Sequence, residues 1–119
     1  MDGRMDPGPP PGPLKTNVTD LIAFLARPHL HPLLFYLGVS ADGPVRFQEI
    51  PSATGIPRNT LVRRLKDLAA AGWITRQELG QNPPHVEYAP TATLKNLVPA
   101  FKALHGWCVE HELPLREDA

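Results

Sequence analysis

Residues 55–76 read GIPRNTLVRRLKDLAAAGWITR, and this stretch decides both the fold and the charge distribution. Its charged residues are five cations and one carboxylate: Arg58, Arg63, Arg64, Lys66, Arg76 and Asp67. The whole chain nevertheless contains 12 Lys plus Arg and 12 Asp plus Glu, so its formal net charge is zero. The positive charge is therefore collected in one segment, and most of the compensating carboxylates lie elsewhere.

The range 57–71 is predicted to form a helix. Pro57 suits the first helical position, and Gly72 ends the helix. Three leucines recur at helical spacing and predict the buried stripe: Leu61, Leu65 and Leu68.

The face opposite this stripe is polar and basic, with little bulk. Its members are Asn59, Arg63, Lys66 and Ala70, flanked by Thr60 and Val62, with Arg58 and Arg64 nearer the core boundary. Arg can bind guanine through two hydrogen bonds, Asn can bind adenine, and Thr can contact a thymine methyl group. This face therefore favours entry into the DNA major groove over the alternative, an ordinary solvated helix surface.

Periodicity and turn residues predict the elements before this helix. A first helix follows the capping candidates Thr16 and Asn17 and ends near Arg27, because Pro28 disfavours helical geometry in the residue before it. The apolar segment 31–40 predicts a short buried helix opened by Pro32. A short strand at 45–47 and a short helix follow, and Gly55 ends that helix in the left-handed conformation.

The elements after it are a hairpin and a long helix. The segments 73–79 and 85–90 alternate apolar and polar residues around the turn formers of 80–84, which predicts two strands. From Thr91 onward, apolar residues recur three and four positions apart as far as Cys108.

This order predicts a mainly α protein with a small β hairpin (α+β). The fold is a winged helix-turn-helix with an additional N-terminal helix and a long C-terminal dimerisation helix. The domain is predicted to span 16–112, between a disordered Pro/Gly-rich tail at 1–15 and a flexible tail at 113–119. On the hairpin, or wing, only Arg76 and His85 offer DNA contacts; the alternative is that the hairpin merely completes the core.

Four segments resemble the HxlR-type winged-helix transcriptional regulators in order: GPVRFQEI at 43–50, residues 55–76, PPHVEYAPT at 83–91 and LVPAFKALHGWCVEH at 97–111. The resemblance covers about residues 20–111. It implies a DNA-binding homodimer in which the helix at 57–71 enters the major groove and the first and last helices form the dimer interface. The chain departs from the family pattern at Pro57, Leu30, Pro90 and Leu94.

The apolar stripe of the last helix is long for so small a domain, so part of it is expected to pack against a second copy. The predicted interface residues are Leu21, Phe24, Leu25, Leu94, Leu97, Phe101, Leu104, Trp107 and Cys108. The alternative is that both helices cover only their own core.

Other classes of function find little support. Cys108 is the single cysteine, which indicates an intracellular protein without an internal disulfide. The spacing of His105, Cys108 and His111 rotates around the helix, so neither a metal nor a cofactor is predicted. No apolar run is long enough for a membrane span, and neither a nucleophile–base spacing nor a phosphate loop indicates an enzyme.

The sequence thus predicts a cytoplasmic, prokaryotic transcriptional regulator that binds double-stranded DNA as a homodimer on a pseudo-palindromic operator. Its effector is not specified by the sequence. The alternative is a winged-helix module for protein–protein interaction that has lost DNA recognition.

Overall fold

A computed structural model describes residues 15–113, so the predicted tails, apart from Lys15 and Leu113, lie outside the described residues. The helices are α1 (Val18–Leu25), α2 (Leu30–Phe35), α3 (Ile50–Thr54), α4 (Arg58–Ala70) and α5 (Ala92–Glu110). The strands are β1 (Val45–Arg46), β2 (Ile74–Leu79) and β3 (His85–Pro90). This order confirms the predicted winged helix-turn-helix class.

The three strands form one antiparallel sheet in the order β1-β3-β2. The hairpin pairs Ile74 with Pro90 at its base and Leu79 with His85 near its tip. β1 is only two residues long and pairs Val45 with Tyr88. The short strand before the helix-turn-helix therefore becomes the third strand beside the hairpin.

The turn between α3 and α4 is fixed by Gly55 and Thr54. Gly55 has a φ of 74°, as predicted for a left-handed cap. The Thr54 hydroxyl donates to the Ile50 carbonyl oxygen at 2.8 Å and accepts from the Ile56 N–H at 3.2 Å. Pro57 precedes the first helical residue of α4, which corrects its predicted place inside the helix. Its ψ of 143° is extended, because the proline ring fixes φ and leaves ψ free.

α2 begins two residues earlier than predicted. His29, with a φ of 64°, precedes Leu30, and Pro32 lies inside the first turn. A proline is tolerated there because the first N–H groups of a helix have no partner within it. The helix continues into a π-helical turn at Tyr36–Ser40. An added Cβ at Gly38 of that turn would lie 3.1 Å from Cγ2 of Val98 on α5, so this glycine permits close approach.

The core is formed by leucines from α2 and α4 together with residues of the sheet and α5. Leu30, Leu33, Leu34, Leu61 and Leu68 are all completely buried. The predicted stripe of α4 is therefore confirmed, and its burial fixes which face of α4 points outward.

α5 has an inner and an outer half. Leu94 and Phe101 are predicted dimer residues, and their role at an interface stays a prediction. Within the protomer, Leu94 is completely buried and Phe101 is 5% exposed. The reason is the close approach of α2: the Phe101 ring packs edge-on against His31 at 5.7 Å between ring centres. From Lys102 to Glu110 every residue is exposed, including Leu104 at 62%.

α1 lies on the surface and is held by few contacts. The Asn17 side chain caps it, accepting from the Thr19 N–H at 2.7 Å. Phe24 packs edge-on against Trp73 at 5.1 Å between ring centres. Arg27 reaches the Asp67 carboxylate of α4 at 3.1 Å. These contacts join α1 to α4 and to the start of β2.

We expect Leu61→Ala to lower the free energy of unfolding by about 2–5 kcal/mol, because it leaves a cavity in the core. Val62→Ala is the matched control on the same helix, since Val62 is 36% exposed and should change stability by less than about 1 kcal/mol. Urea denaturation of both variants measures the difference. Equal losses for the two would contradict the assignment of the buried stripe.

Two glycine substitutions should change the free energy of unfolding in opposite directions. Gly55→Ala should cost about 1–2 kcal/mol, because its backbone is left-handed although the space around it is open. Gly106→Ala should stabilise by about 0.5–1 kcal/mol, because Gly106 lies inside α5 with no atom near an added Cβ. Thermal unfolding of the two variants checks both signs, and a stabilising Gly55→Ala would overturn the argument.

Candidate nucleic-acid interface

The outward face of α4 presents polar and basic side chains to solvent. Arg58, Asn59, Val62, Arg63 and Lys66 are exposed, while Thr60 is partly buried. Within residues 15–113, no carboxylate oxygen lies within ion-pair distance of Arg63 or Lys66. These two cations are therefore available to an external anion. We call the surface formed by Asn59, Val62, Arg63 and Lys66 the α4 face.

Arg58 stands at the edge of this surface. Its guanidinium lies 4.8 Å from the centre of the Phe47 ring. Such a cation–π contact is attractive and restricts the side chain. Phe47 belongs to a 3-10 turn at Phe47–Glu49, directly after β1. The first residue of α4 is thus anchored to the segment preceding the helix-turn-helix.

Arg64 faces the protein, and its predicted contact with DNA stays a prediction. Its side chain is only 13% exposed, and its Nε lies 3.5 Å from the Asp67 carboxylate. Asp67 also holds Arg27, two residues after the end of α1, at 3.1 Å. Arg64 follows Leu61 by three positions on the helix, so it lies beside the buried stripe. Arg64 and Asp67 thus form an ion pair within α4, and the contact of Asp67 with Arg27 connects α4 to the segment after α1.

Both predicted wing contacts already have a carboxylate neighbour on the same hairpin. Arg76 Nη1 lies 3.1 Å from Glu78 Oε2. The hydrogen bonds that Arg76 donates to Glu78 and then to Tyr88 raise the pKa of Arg76 above its usual value, so it stays charged. His85 Nε2 lies 3.2 Å from Glu87 Oε2. The wing therefore contributes less free positive charge than the α4 face.

The structure also gathers residues near α4 that sequence reasoning missed. Arg46 and Phe47 lie at a cleft between α4 and the hairpin, together with Lys66, Arg76 and His85. Arg46 is brought there by pairing with Glu87 across the sheet. No periodic pattern indicated this, because β1 is too short to alternate and only strand pairing places it.

The predicted dimer residues fall into three groups, of which the first is the buried pair Leu94 and Phe101. Leu104, Trp107 and Cys108 on outer α5 are exposed; Leu21, Phe24, Leu25 and Leu97 are partly buried. The sequence prediction omitted two exposed apolar residues of α1, Val18 and Ile22. Trp107 stacks on His111 with 4.5 Å between ring centres. The pairing of these residues with a second copy stays a prediction.

Two further properties concern the described part of the chain. Among residues 15–113, no cluster of three or more His, Cys, Asp or Glu side chains is arranged to hold a metal ion. In the same range, none of the helices combines the length and the apolar character that a bilayer crossing requires.

The chain is similar to known regulators in sequence and structure. The HxlR-like helix-turn-helix family matches residues 33–114. An HTH-type transcriptional regulator of Halalkalibacterium halodurans is 37% identical over 81 residues, which cover 67% of this chain and 71% of that protein. A second, from Methanothermobacter thermautotrophicus, is 39% identical over 69 residues, 56% of this chain and only 51% of that protein.

A solved structure is similar over most of the described chain. The reduced form of the transcriptional regulator YodB from B. subtilis superposes with a TM-score of 0.70 at 26% identity, covering 82% of this chain and 94% of that chain. The structural similarity, the family match at residues 33–114 and the exposed basic face of α4 all indicate a DNA-binding regulator. The chain belongs to the HxlR-like helix-turn-helix family and is a DNA-binding transcriptional regulator.

Proposed function

We propose that this regulator binds double-stranded DNA as a homodimer, with α4 of each protomer in the major groove of one half of a pseudo-palindromic operator. The observation that carries the proposal is the α4 face. It combines an amide, Asn59, with two cations that have no carboxylate partner within the described residues, Arg63 and Lys66. Amide and guanidinium groups are the side chains that read base edges.

Different roles follow from the positions of these side chains. Asn59 and Arg63 lie one helical turn apart, and we assign them to base edges in the groove. Thr60 and Val62 flank them and fit apolar contacts such as a thymine methyl group. Arg58, held by Phe47, and Lys66 are assigned to phosphates, which set the register of the helix on the duplex.

The wing has a secondary role in this proposal. Because Arg76 and His85 each have a carboxylate within 3.2 Å, their attraction to phosphate is reduced. We assign them to backbone contacts that position the domain without reading sequence. The specificity of the complex then comes from α4.

The homodimer is supported by the outer half of α5. Leu104 and Cys108 continue the stripe of Leu97 and Phe101 at spacings of three and four residues, but both are exposed, Leu104 at 62%. Exposed apolar surface of this kind is typical of protein interfaces. A two-fold axis between outer helices would present the two α4 faces to successive major grooves, about 34–36 Å apart.

Asn59→Ala and Lys66→Ala should weaken DNA binding in different ways. Asn59→Ala should cost about 1–3 kcal/mol for each half-site of the preferred operator and leave the salt dependence unchanged, since it removes one base contact per protomer. Lys66→Ala should weaken all sequences equally and reduce the salt slope by about one unit per protomer, which is about two units for the dimer. The site is first selected from a random duplex pool, and fluorescence anisotropy at several salt concentrations then measures each variant.

Lys102→Ala is the matched control, because it removes one exposed positive charge from α5. It should leave both affinity and salt slope unchanged. If Asn59→Ala and Lys66→Ala behave like this control, the assignment of α4 to the groove is wrong. If the random pool yields no enriched sequence, the proposal of a specific operator is wrong.

Leu104→Glu should convert the dimer to monomers. An unpaired carboxylate buried at the interface costs about 3 kcal/mol or more, which weakens association roughly a hundredfold. Val109→Glu is the matched control, because Val109 is 73% exposed and lies away from the Leu97–Leu104 stripe. Sedimentation equilibrium of the two variants and the parent measures the dissociation constants. A monomeric parent at tens of micromolar, roughly the range of weak complexes, would contradict the homodimer.

A further inference from the structure

A cleft of about 460 Å³ separates α4 from the hairpin. One wall is α4, the second is the segment 46–48 after β1, and the third is formed by residues 84–88 and Arg76. Clefts of this size are typical of small-molecule sites. Its volume is too small for a folded partner, so its occupant is either a small ligand or a protruding group of a larger one.

The interior of the cleft is largely apolar and includes two aromatic rings. Leu65, at 2% exposure, and Tyr88, at 8%, contribute its most buried surfaces. Phe47 lies in the second wall, and its ring is held by the Arg58 guanidinium at 4.8 Å. Val86 adds apolar surface from the hairpin. Aromatic side chains favour planar aromatic ligands through offset or edge-to-face packing.

The cleft also has an excess of positive charge. Arg46 and Lys66 line it, and within residues 15–113 neither has a carboxylate within ion-pair distance. Arg76 and His85 line it as well, but their side chains already contact the carboxylates of Glu78 and Glu87. Two uncompensated cations beside a hydrophobic interior are complementary to a ligand that has one anionic group on an apolar ring.

We propose that this cleft is a binding site for a small planar aromatic carboxylate. The ring packs against Phe47, Leu65 and Tyr88, and the carboxylate accepts hydrogen bonds from Arg46 and Lys66. A neutral aromatic ligand would leave these cations unused, and inorganic phosphate would leave the apolar interior unfilled. The ligand class therefore follows from both properties of the cleft together.

Occupancy of the cleft should oppose DNA binding. Val62 and Lys66 belong both to the cleft and to the α4 face, so a bound ligand would use the lysine that the duplex needs. This competition between ligand and DNA rests on the proposed role of α4 in the major groove. The ligand site itself does not, and it can be tested without DNA.

Calorimetric titration of the full chain with 2-naphthoate tests the site, with the neutral 2-naphthamide as the matched ligand. Arg46→Ala should weaken 2-naphthoate binding roughly tenfold, because one charged hydrogen bond is lost. Ala69→Phe should weaken it at least as much by filling the cleft from its α4 wall. Lys95→Ala and Ala103→Phe are the matched controls on α5, where both residues are exposed, and they should bind like the parent chain. Circular dichroism confirms that each variant is folded.

Three results would overturn the proposal: no binding of 2-naphthoate to the parent chain at millimolar concentration, equal binding of 2-naphthamide, or binding unaffected by both Arg46→Ala and Ala69→Phe. Displacement of 2-naphthoate by an equal concentration of inorganic phosphate would also overturn it, because the cleft would then be a phosphate site.

In the presence of the selected operator, 2-naphthoate should weaken DNA binding of the parent and leave that of Ala69→Phe unchanged. DNA affinity that is independent of saturating ligand would overturn the competition alone, whereas absence of any DNA binding would count against the proposed function and leave the titration interpretable.

Discussion

Burial of the leucine stripe on α4 is the constraint on which the rest of the structure depends. Leu61, Leu65 and Leu68 are 0–2% exposed, so the helix has one rotation about its axis at which the core is closed. Burying each such side chain is worth about 1.5–3 kcal/mol, far more than any surface contact of this helix. The outward direction of Asn59 and Arg63 is therefore a consequence of core packing.

A second consequence concerns how the charge of α4 is divided. Cations opposite the stripe reach solvent, whereas Arg64 beside the stripe turns toward Asp67. Since Asp67 also binds Arg27, one carboxylate connects α4 to the segment that follows α1. The neutral net charge of the chain is thus compatible with DNA binding, because attraction to phosphate depends on local charge within a Debye length of about 8–10 Å.

Features determined by neighbouring residues could be predicted from the sequence. The α4 stripe, the left-handed Gly55 and the hairpin at 74–90 depend on helical spacing, backbone freedom and alternation, and all were predicted correctly.

The start of α2 was misplaced, because Pro32 is equally compatible with the first helical position and with the first turn. The burial of Leu94 and Phe101 within the protomer does not follow from the sequence either. Periodicity identifies an apolar stripe, but only the packing of α2 shows which part of it the protomer covers itself.

The exposed residues of the candidate site could be predicted from the sequence, whereas the contacts between distant segments could not. Exposure of Asn59, Arg63 and Lys66 follows from the helical repeat, so these residues were found from the sequence. The orientation of Arg64 toward Asp67 does not follow from the helical repeat, because it depends on the position of that carboxylate. The cleft beside α4 was missed, because Arg46, Lys66 and Val86 are far apart in the chain and meet only through strand pairing.

The two tryptophans of the chain lie in environments that differ enough to act as separate optical reporters. Trp73 is half-buried against Phe24 of α1, so its emission responds to whether the first helix is docked. Trp107 is 48% exposed and stacked on the imidazole of His111, so its emission responds to whatever covers the outer half of α5. Replacing either indole by phenylalanine separates the two signals, and the protein then reports on each end of its surface without an attached dye.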